Sequence, residues 1–172
     1  MKRKIAFLDR DGTISKEYTD NEWKYVNKPE LLNGTIEALK IIRDTGYEII
    51  ILTNQNLIAD GVITENQYED FTNKLIKLLR ENNIDILKIY YCPHNNSNNC
   101  DCKKPKTGLI DNALNDFDID LDNSFYAGDS YSDYNLAQKF NLDFYGIKGR
   151  NNDNIFKYQN LYDVIKEKAR KN

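Results

Sequence analysis

Long apolar stretches are missing from this sequence. The basic start at 2–4 is followed by an apolar run of only four residues, whereas a signal peptide needs about 7–15 there. No stretch approaches the roughly 18 apolar residues that cross a bilayer. We therefore expect a cytoplasmic protein with no membrane partner.

An excess of positive charge is missing as well. The net charge is -3, so the bulk charge gives no attraction to nucleic acid or to anionic membranes. The cationic run at 166–171 is typical of the carboxyl-terminal end of a helix, where basic side chains favour the dipole. A chain of 172 residues can bury a core without covalent staples. We predict one domain over 1–172, a monomer with no nucleic-acid partner.

Cysteine and histidine are scarce and lie together. The three cysteines and the only histidine fall within 92–102, in the order Cys92, His94, Cys100 and Cys102. Three thiolates and one imidazole complete a tetrahedral Zn²⁺ shell with no open position, which indicates a structural site. The alternative is a set of unrelated thiols in a reducing cytoplasm. We predict a zinc loop at 92–102 that takes no part in chemistry.

Apolar runs alternate with helical patterns along the chain, which predicts an α/β fold. Strands separated by helices form right-handed β-α-β units. We therefore expect a doubly wound (Rossmann-like) parallel sheet with helices on both faces. The predicted strands are 4–8, 47–52, 86–91, 124–127 and 143–147, and the predicted helices are 34–45, 64–82, 107–117, 133–140 and 161–170.

The segment 15–31 does not fit this alternation. It contains Tyr18, Trp23 and Tyr25 and no clear period. One interpretation is a flap near the active site, whose aromatic side chains cover substrate. The other is an irregular surface crossing with partly buried aromatic side chains.

Polar side chains follow several predicted strands. Asp9 and Asp11 come after the first strand, Thr53 after the second and Asp129 after the fourth. Ligands of open α/β sheets bind outside the carboxyl ends of the strands. Carboxylates gathered there suit Mg²⁺, which prefers oxygen ligands and substrate phosphates. The alternative for Asp9 and Asp11 alone is that they cap a turn.

Four motifs in order resemble those of haloacid dehalogenase superfamily phosphatases. They read FLDRDGTI at 7–14, IILTNQ at 50–55, KKPKTG at 103–108 and GDSYSD at 128–133. The zinc loop before the third motif is similar to that of the branch holding histidinol-phosphate phosphatases and heptose-bisphosphate phosphatases. The resemblance covers about 4–148 and implies a Mg²⁺-dependent phosphatase with a minimal cap.

The resemblance implies a role for each matching residue. Asp9 is the nucleophile and Asp11 the general acid and base. Asp9, Asp129 and the main-chain carbonyl of Asp11 hold Mg²⁺. Thr53 and Lys104 bind the transferring phosphoryl group, and Asp133 holds Lys104 or the metal shell. Substrate contacts are expected from Asn54, Gln55 and Lys103.

The resemblance leaves the substrate open. Heptose-bisphosphate phosphatases usually continue the second motif with SGIARG, whereas this chain has NLIADG, with Asp60 where arginine is usual. Lys103 replaces their arginine and loses its bidentate geometry toward phosphate. We expect a small phosphorylated metabolite, a sugar phosphate or histidinol phosphate. A polynucleotide 3′-end phosphatase and a non-catalytic metal-stabilised binding module are the alternatives.

Overall fold

The computed structural model describes residues 2–149, 151 and 153–171, and its centre is a sheet of six strands. These are β1 (Ile5–Leu8), β2 (Glu48–Asn54), β3 (Lys88–Cys92), β4 (Phe125–Gly128), β5 (Asp143–Ile147) and β6 (Phe156–Tyr158). The strands lie in the order β3-β2-β1-β4-β5-β6, and each pairs in parallel with its neighbours. The predicted doubly wound parallel sheet is therefore confirmed.

The described part of the chain has six α-helices, of which five lie between strands and the last follows β6. They are α1 (Asp20–Trp23), α2 (Thr35–Asp44), α3 (Glu65–Arg80), α4 (Gly108–Asp116), α5 (Tyr131–Lys139) and α6 (Leu161–Lys171). The longest, α3, begins with a capping box in which Thr64 Oγ1 accepts from Gln67 N at 3.1 Å and Gln67 Oε1 accepts from Thr64 N at 2.8 Å. These bonds satisfy two amides that a helix start otherwise leaves unpaired.

Strand side chains alternate between two apolar layers. Ala6 and Leu8 point to the face that α2, α3 and α6 cover, where they pack with Leu39 and Leu75 among others. Ile5 and Phe7 point to the opposite face, which α4 and α5 cover. Burial on both faces explains why the strands read as continuous apolar runs.

The order of the strands reverses beside β1. The chain runs from β1 outward to β2 and β3, then returns to place β4 on the other side of β1. In register, Leu8 lies opposite both Ile51 and Ala127, and the amide of Asp9 donates to the Ala127 carbonyl at 3.0 Å. The carboxyl ends of β1, β2 and β4 therefore meet at the point where such sheets bind ligands.

Several details differ from the sequence predictions, among them helix α1, which was not predicted. Strand β6 was not predicted, because it is three residues long and carries no period that could identify it. Helix α5 begins at Tyr131, two residues before the prediction, because Ser130 caps it by accepting from the Asp133 amide. Within the described part of the chain, no helix is long and apolar enough to cross a membrane.

Candidate active site and metal centre

A cavity of about 230 Å³ opens where β1, β2 and β4 end. We call it the central cavity. It brings together side chains from all four sequence motifs and from the segment 15–31. Its lining consists of Asp9, Asp11, Glu17, Tyr18, Asp20, Trp23, Thr53, Asn54, Gln55, Asn56, Leu57, Lys104, Asp129, Ser130 and Ser132.

Lys104 lies at the base of the cavity in direct contact with Asp9. Its ammonium group donates at 2.7 Å to Asp9 Oδ1, to Asp133 Oδ1 and to the Leu52 carbonyl, which uses all three of its hydrogens. Burial alone lowers the pKa of Lys104, but the carboxylates of Asp133 and Asp9 outweigh it and raise that pKa well above the usual value. Lys104 is therefore a cation held against Asp9.

Asp129 faces the same cavity from the end of β4. The backbone of Gly12 lies beside it, because a Cβ added there would be 2.1 Å from Asp129 Oδ2. Gly12 also has φ +85°, a conformation that side chains rarely adopt. Glycine is therefore required there on two grounds, and the backbone after Asp11 passes directly beside the Asp129 carboxylate.

Buried negative charge is in excess around this cluster. Burial, and then the nearby carboxylates of Asp133 and Glu17, raise the pKa of Asp129 to about 7. Burial likewise raises the pKa of Asp9, although Lys104 opposes it. Oxygen atoms of Asp9, Asp129 and Asp133 all lie within 4.8 Å of one another. A divalent cation with oxygen ligands would offset this charge, so the residues present fit Mg²⁺.

Asp133 is the least suited of the three to bind a metal. Its Oδ1 accepts from Lys104 and, at 2.8 Å, from the Tyr126 hydroxyl, while its Oδ2 accepts from the Ser130 hydroxyl at 2.6 Å. Both oxygens are thus engaged by protein donors, and the side chain is fully buried. Of the two positions that the sequence leaves open for Asp133, the structure places it against Lys104.

Asp11 and Thr53 are joined through Gln55. The side-chain nitrogen of Gln55, Nε2, donates at 2.9 Å both to Asp11 Oδ2 and to Thr53 Oγ1. Gln55 is 1% exposed, so little of it can reach a ligand. Its predicted contact with substrate stays a prediction, and its observed contacts hold the two neighbouring polar groups in place.

The side chain of Asn54 forms two hydrogen bonds with the backbone of Lys104. Its Oδ1 accepts from the Lys104 amide at 2.9 Å, and its Nδ2 donates to the Lys104 carbonyl at 3.2 Å. These two hydrogen bonds hold the backbone of Lys104 in place, and they come from β2, fifty residues earlier in the chain. Lys103, by contrast, donates to Asn96 Oδ1 at 2.9 Å and does not line the central cavity.

The segment 15–31 forms one wall of the cavity. Tyr18 and Trp23 are buried against α3 and the loop before it, while Glu17 and Asp20 face the opening. Tyr25 is 77% exposed and lies outside the cavity lining. The segment is therefore beside the site and partly packed into an apolar cluster, which combines features of both sequence interpretations.

The cysteines and the histidine converge at the end of β3. Cys92 Sγ lies 3.6 Å from Cys100 Sγ and from His94 Nδ1, and His94 Nδ1 lies 3.2 Å from Cys102 Sγ. A disulfide needs about 2.05 Å between its sulfurs. Tetrahedral zinc, with Zn–S of about 2.3 Å, puts sulfurs about 3.8 Å apart and sulfur about 3.5 Å from nitrogen. The cluster fits zinc through Nδ1.

Arg10 is a residue to which the sequence assigned no role. It stands between Asp9 and Asp11 in the first motif, yet its side chain is only 1% exposed. A basic residue between two acidic residues indicates that it pairs with one of them. Its partners could not be read from the sequence, since they come from the segment 15–31 and from α3.

A comparison with protein families finds one match that spans most of the chain. Residues 4–154 match the family described as polynucleotide kinase 3 phosphatase. The matched region contains every residue of the central cavity and the whole cysteine–histidine cluster.

Curated relatives are similar over most of their own length. D-glycero-alpha-D-manno-heptose-1,7-bisphosphate 7-phosphatase of Photorhabdus laumondii is 41% identical over 145 residues, which cover 80% of this chain and 78% of the relative. A probable D-glycero-D-manno-heptose-1,7-bisphosphate 7-phosphatase of Thermoplasma volcanium is 38% identical over 144 residues, covering 82% and 96%.

Solved structures share the fold. A D,D-heptose 1,7-bisphosphate phosphatase from B. bronchiseptica, complexed with magnesium and phosphate, superposes with a TM-score of 0.82 over 98% of this chain and 99% of that one. The two are 21% identical, so this likeness concerns the fold alone.

Proposed function

The chain belongs to the polynucleotide kinase 3 phosphatase family of the haloacid dehalogenase superfamily, and on that premise we propose that it hydrolyses the phosphomonoester of a small sugar through a phosphoryl group carried on Asp9. The observation that carries the proposal is the contact of 2.7 Å between the Lys104 ammonium group and Asp9 at the base of the central cavity. As the chain is a phosphatase, the alternative of a non-catalytic binding module falls away.

A sugar phosphate is the substrate class that the relatives favour. The two relatives compared above act by name on a heptose bisphosphate. The central cavity, at about 230 Å³, suits a small polar ligand. Its outer wall carries amide, hydroxyl and carboxylate groups that can bind the hydroxyls of a sugar, among them Asn56, Ser132 and Asp20.

A polynucleotide end is the less favoured substrate, in spite of the family's description. Strands of nucleic acid are held by basic grooves with stacking aromatic side chains. Among the described residues that line the cavity, Lys104 is the only cation, and it is engaged by Asp9 and Asp133. The net charge of -3 points the same way.

The residues at the cavity divide the reaction into two steps. In the first, an Asp9 oxygen attacks phosphorus, the bond to the sugar oxygen breaks, and that oxygen takes the proton of the Asp11 carboxyl group. In the second, water attacks the phosphorus of the acyl phosphate and gives its proton back to Asp11, which frees inorganic phosphate and restores Asp9. Lys104 and Thr53 bind the phosphoryl oxygens throughout.

The oxygen cluster at this site would hold Mg²⁺. Asp9, Asp129 and the main-chain carbonyl of Asp11 are the proposed ligands, and Asp133 is reserved for Lys104. When bound, the ion supplies positive charge that offsets the charge of the phosphoryl group. The excess of buried carboxylates described above supports this assignment.

The cysteine–histidine cluster would hold structural Zn²⁺. All four side chains are used as ligands, so no position is left for chemistry. The cluster ends at Cys102, two residues before Lys104. Helix α4 begins at Gly108, whose amide donates to the Asp101 carbonyl at 3.0 Å. The proposed role of zinc is to fix the backbone that carries Lys104.

The remaining predictions are proposals about context. That the protein is a monomer stays a prediction. Free cysteines as metal ligands suit the reducing cytoplasm. Lys103 could reach substrate only by leaving Asn96, so its contact with substrate is the weakest of the proposed ones.

A panel of phosphate esters tests the proposed function. Purified protein with Mg²⁺ is assayed for phosphate release from heptose 1,7-bisphosphate, heptose 7-phosphate, hexose phosphates, histidinol phosphate and a 3′-phosphorylated oligonucleotide. We expect the highest kcat/KM with a sugar phosphate and none measurable with the oligonucleotide.

The isosteric variant Asp9→Asn is the control for contaminating phosphatases. Its kcat should fall on the order of 10⁴–10⁶-fold, the scale on which loss of a nucleophile acts. A preference for the oligonucleotide, or for histidinol phosphate, would replace the proposed substrate class.

A further inference from the structure

Arg10 is one of the most deeply buried side chains in the protein, although it carries a full charge. Its exposure is 1%, and it is one of the largest fully buried side chains among the described residues. Buried charges are rare and are retained only when they are paired. The partners of Arg10 therefore indicate why it is there.

The guanidinium group forms a two-pronged contact with its neighbour Asp11. Nε donates to Asp11 Oδ1 and Nη2 donates to Asp11 Oδ2, both at 2.9 Å. This fork-to-fork geometry fixes the plane of the carboxylate as well as its position, which a lysine could not do.

Three aromatic rings hold the guanidinium group from the other sides. The guanidinium carbon lies 4.7 Å from the ring centre of Phe71, 5.5 Å from that of Tyr68 and 5.6 Å from that of Trp23. Each ring face attracts the cation, more strongly where water is excluded. Phe71 and Tyr68 belong to α3, while Trp23 belongs to the segment 15–31.

The arrangement is costly for stability. Arg10 Nη1 is buried and has no hydrogen-bond partner, and leaving such a donor unpaired carries a penalty. A buried ion pair is also weak evidence for stability, because its desolvation opposes the attraction. The geometry thus points to orientation of Asp11 as what the contact provides.

Asp11 is held from a second side as well. Gln55 donates to Asp11 Oδ2 at 2.9 Å, so each of the two carboxylate oxygens has a fixed donor. The side chain of Asp11 is 17% exposed and lines the central cavity. A leaving group bound in this cavity would therefore lie beside the Asp11 side chain.

We propose that Arg10 is a positioning residue, which holds Asp11 where it passes a proton to the leaving oxygen, and that Phe71, Tyr68 and Trp23 fix Arg10 in turn. The inference rests on the proposed function. As the bond between phosphorus and the leaving oxygen breaks, the proton moves from the Asp11 carboxyl group to that oxygen, and Arg10 faces the carboxylate that remains. Misplacement of a catalytic group by about 1 Å can cost on the order of 10²-fold in rate.

The test compares two leaving groups. A sugar alkoxide leaves only if it is protonated, whereas p-nitrophenolate leaves without a proton. The ratio kcat/KM reports the steps up to the first bond cleavage, so it isolates the role of Asp11 as an acid. In Arg10→Lys, which keeps the charge but loses the fork, kcat/KM should fall about 10²-fold with the sugar phosphate and less than about twofold with p-nitrophenyl phosphate.

A control exists on the surface. Arg43 also contacts the aspartate that follows it, with Nε at 2.8 Å and Nη2 at 2.7 Å from the same oxygen, Asp44 Oδ1, and it donates to the Asn83 carbonyl. Its side chain is 42% exposed and does not line the central cavity. Arg43→Lys should leave kcat/KM at the wild-type value with both the sugar phosphate and p-nitrophenyl phosphate.

A second variant serves if Arg10→Lys does not fold. Phe71→Leu keeps Arg10 and Asp11, does not touch the central cavity, and removes the nearest ring. It should lower kcat/KM roughly 2–10-fold with the sugar phosphate alone. Equal losses with both esters, or no loss with the sugar phosphate, would overturn the positioning role. Wild-type protein that hydrolyses neither ester would overturn the proposed function itself, and this proposal with it.

Discussion

Replacing Lys104 with methionine removes the cation from a cluster of buried carboxylates while keeping a similar length of apolar side chain. The side chains of Lys104, Asp9 and Asp133 are 2%, 10% and 0% exposed, and the two ion-pair distances are both 2.7 Å. Removing one partner of a buried pair costs about 3–5 kcal/mol, because the remaining charge is left uncompensated. For a chain of this length, that corresponds to a fall in Tm of roughly 6–20 °C.

Lys74 offers a matched control for Lys104→Met. Lys74 contacts Asp70 at 2.6 Å, a distance as short as those of Lys104, but the two side chains are 44% and 60% exposed. Exposed pairs contribute about 0–1 kcal/mol, so Lys74→Met should change the free energy of unfolding by no more than that.

Urea unfolding followed by circular dichroism, in buffer without added Mg²⁺, measures both free energies. Lys104→Met should also have no measurable phosphatase activity. If its loss of stability equals that of Lys74→Met, the reasoning that burial makes the Lys104 pairs strong is refuted.

Three further changes follow from the geometry of the site. Asn54→Ala removes two hydrogen bonds to the backbone of Lys104 in the third motif and should lower kcat on the order of 10-fold or more. Asn56→Ala, measured in the same phosphate-release assay, should have a smaller effect, because the Asn56 side chain bonds to Asp60, outside the third motif. Cys100→Ser should remove bound zinc, as measured by metal analysis of the purified protein, and lower both Tm and kcat. Gly12→Ala forces a Cβ against the metal-site carboxylate and should weaken the Mg²⁺ dependence of activity, whereas Gly61→Ala, with φ +70° and nothing within 4 Å of its Cβ, should cost only about 1 kcal/mol of stability. Two results would contradict these expectations: a zinc content of Cys100→Ser equal to that of the wild type, or the same dependence of activity on Mg²⁺ concentration in Gly12→Ala and Gly61→Ala.

The part of the site that follows strand ends could be predicted from the sequence. Asp9, Thr53 and Asp129 each come directly after, or at the end of, an apolar strand, and parallel strands bring such positions to one edge. The cluster at 92–102 could be predicted for a similar reason, since its four ligands are close along the chain.

The contacts that depend on distant side chains could not be predicted. The resemblance predicts that Asn54 contacts substrate, and this stays a prediction. The sequence did not reveal that its side chain also binds the backbone of Lys104, fifty residues away. Arg10 finds its aromatic partners in two separate elements, and no local pattern records that meeting. Strand β6 is stabilised by pairing with β5 rather than by its own three residues.

The central claim is that Asp9 carries the phosphoryl group, and trapping that group tests it most directly. In Asp11→Asn the residue that activates water for the second step is lost, so the acyl phosphate should accumulate after mixing with p-nitrophenyl phosphate and Mg²⁺ and quenching in acid. Peptide mass spectrometry after borohydride reduction should place the modification on Asp9, in the peptide that contains β1. A modification on another residue, or its absence while Asp9→Asn still turns over, would contradict the account.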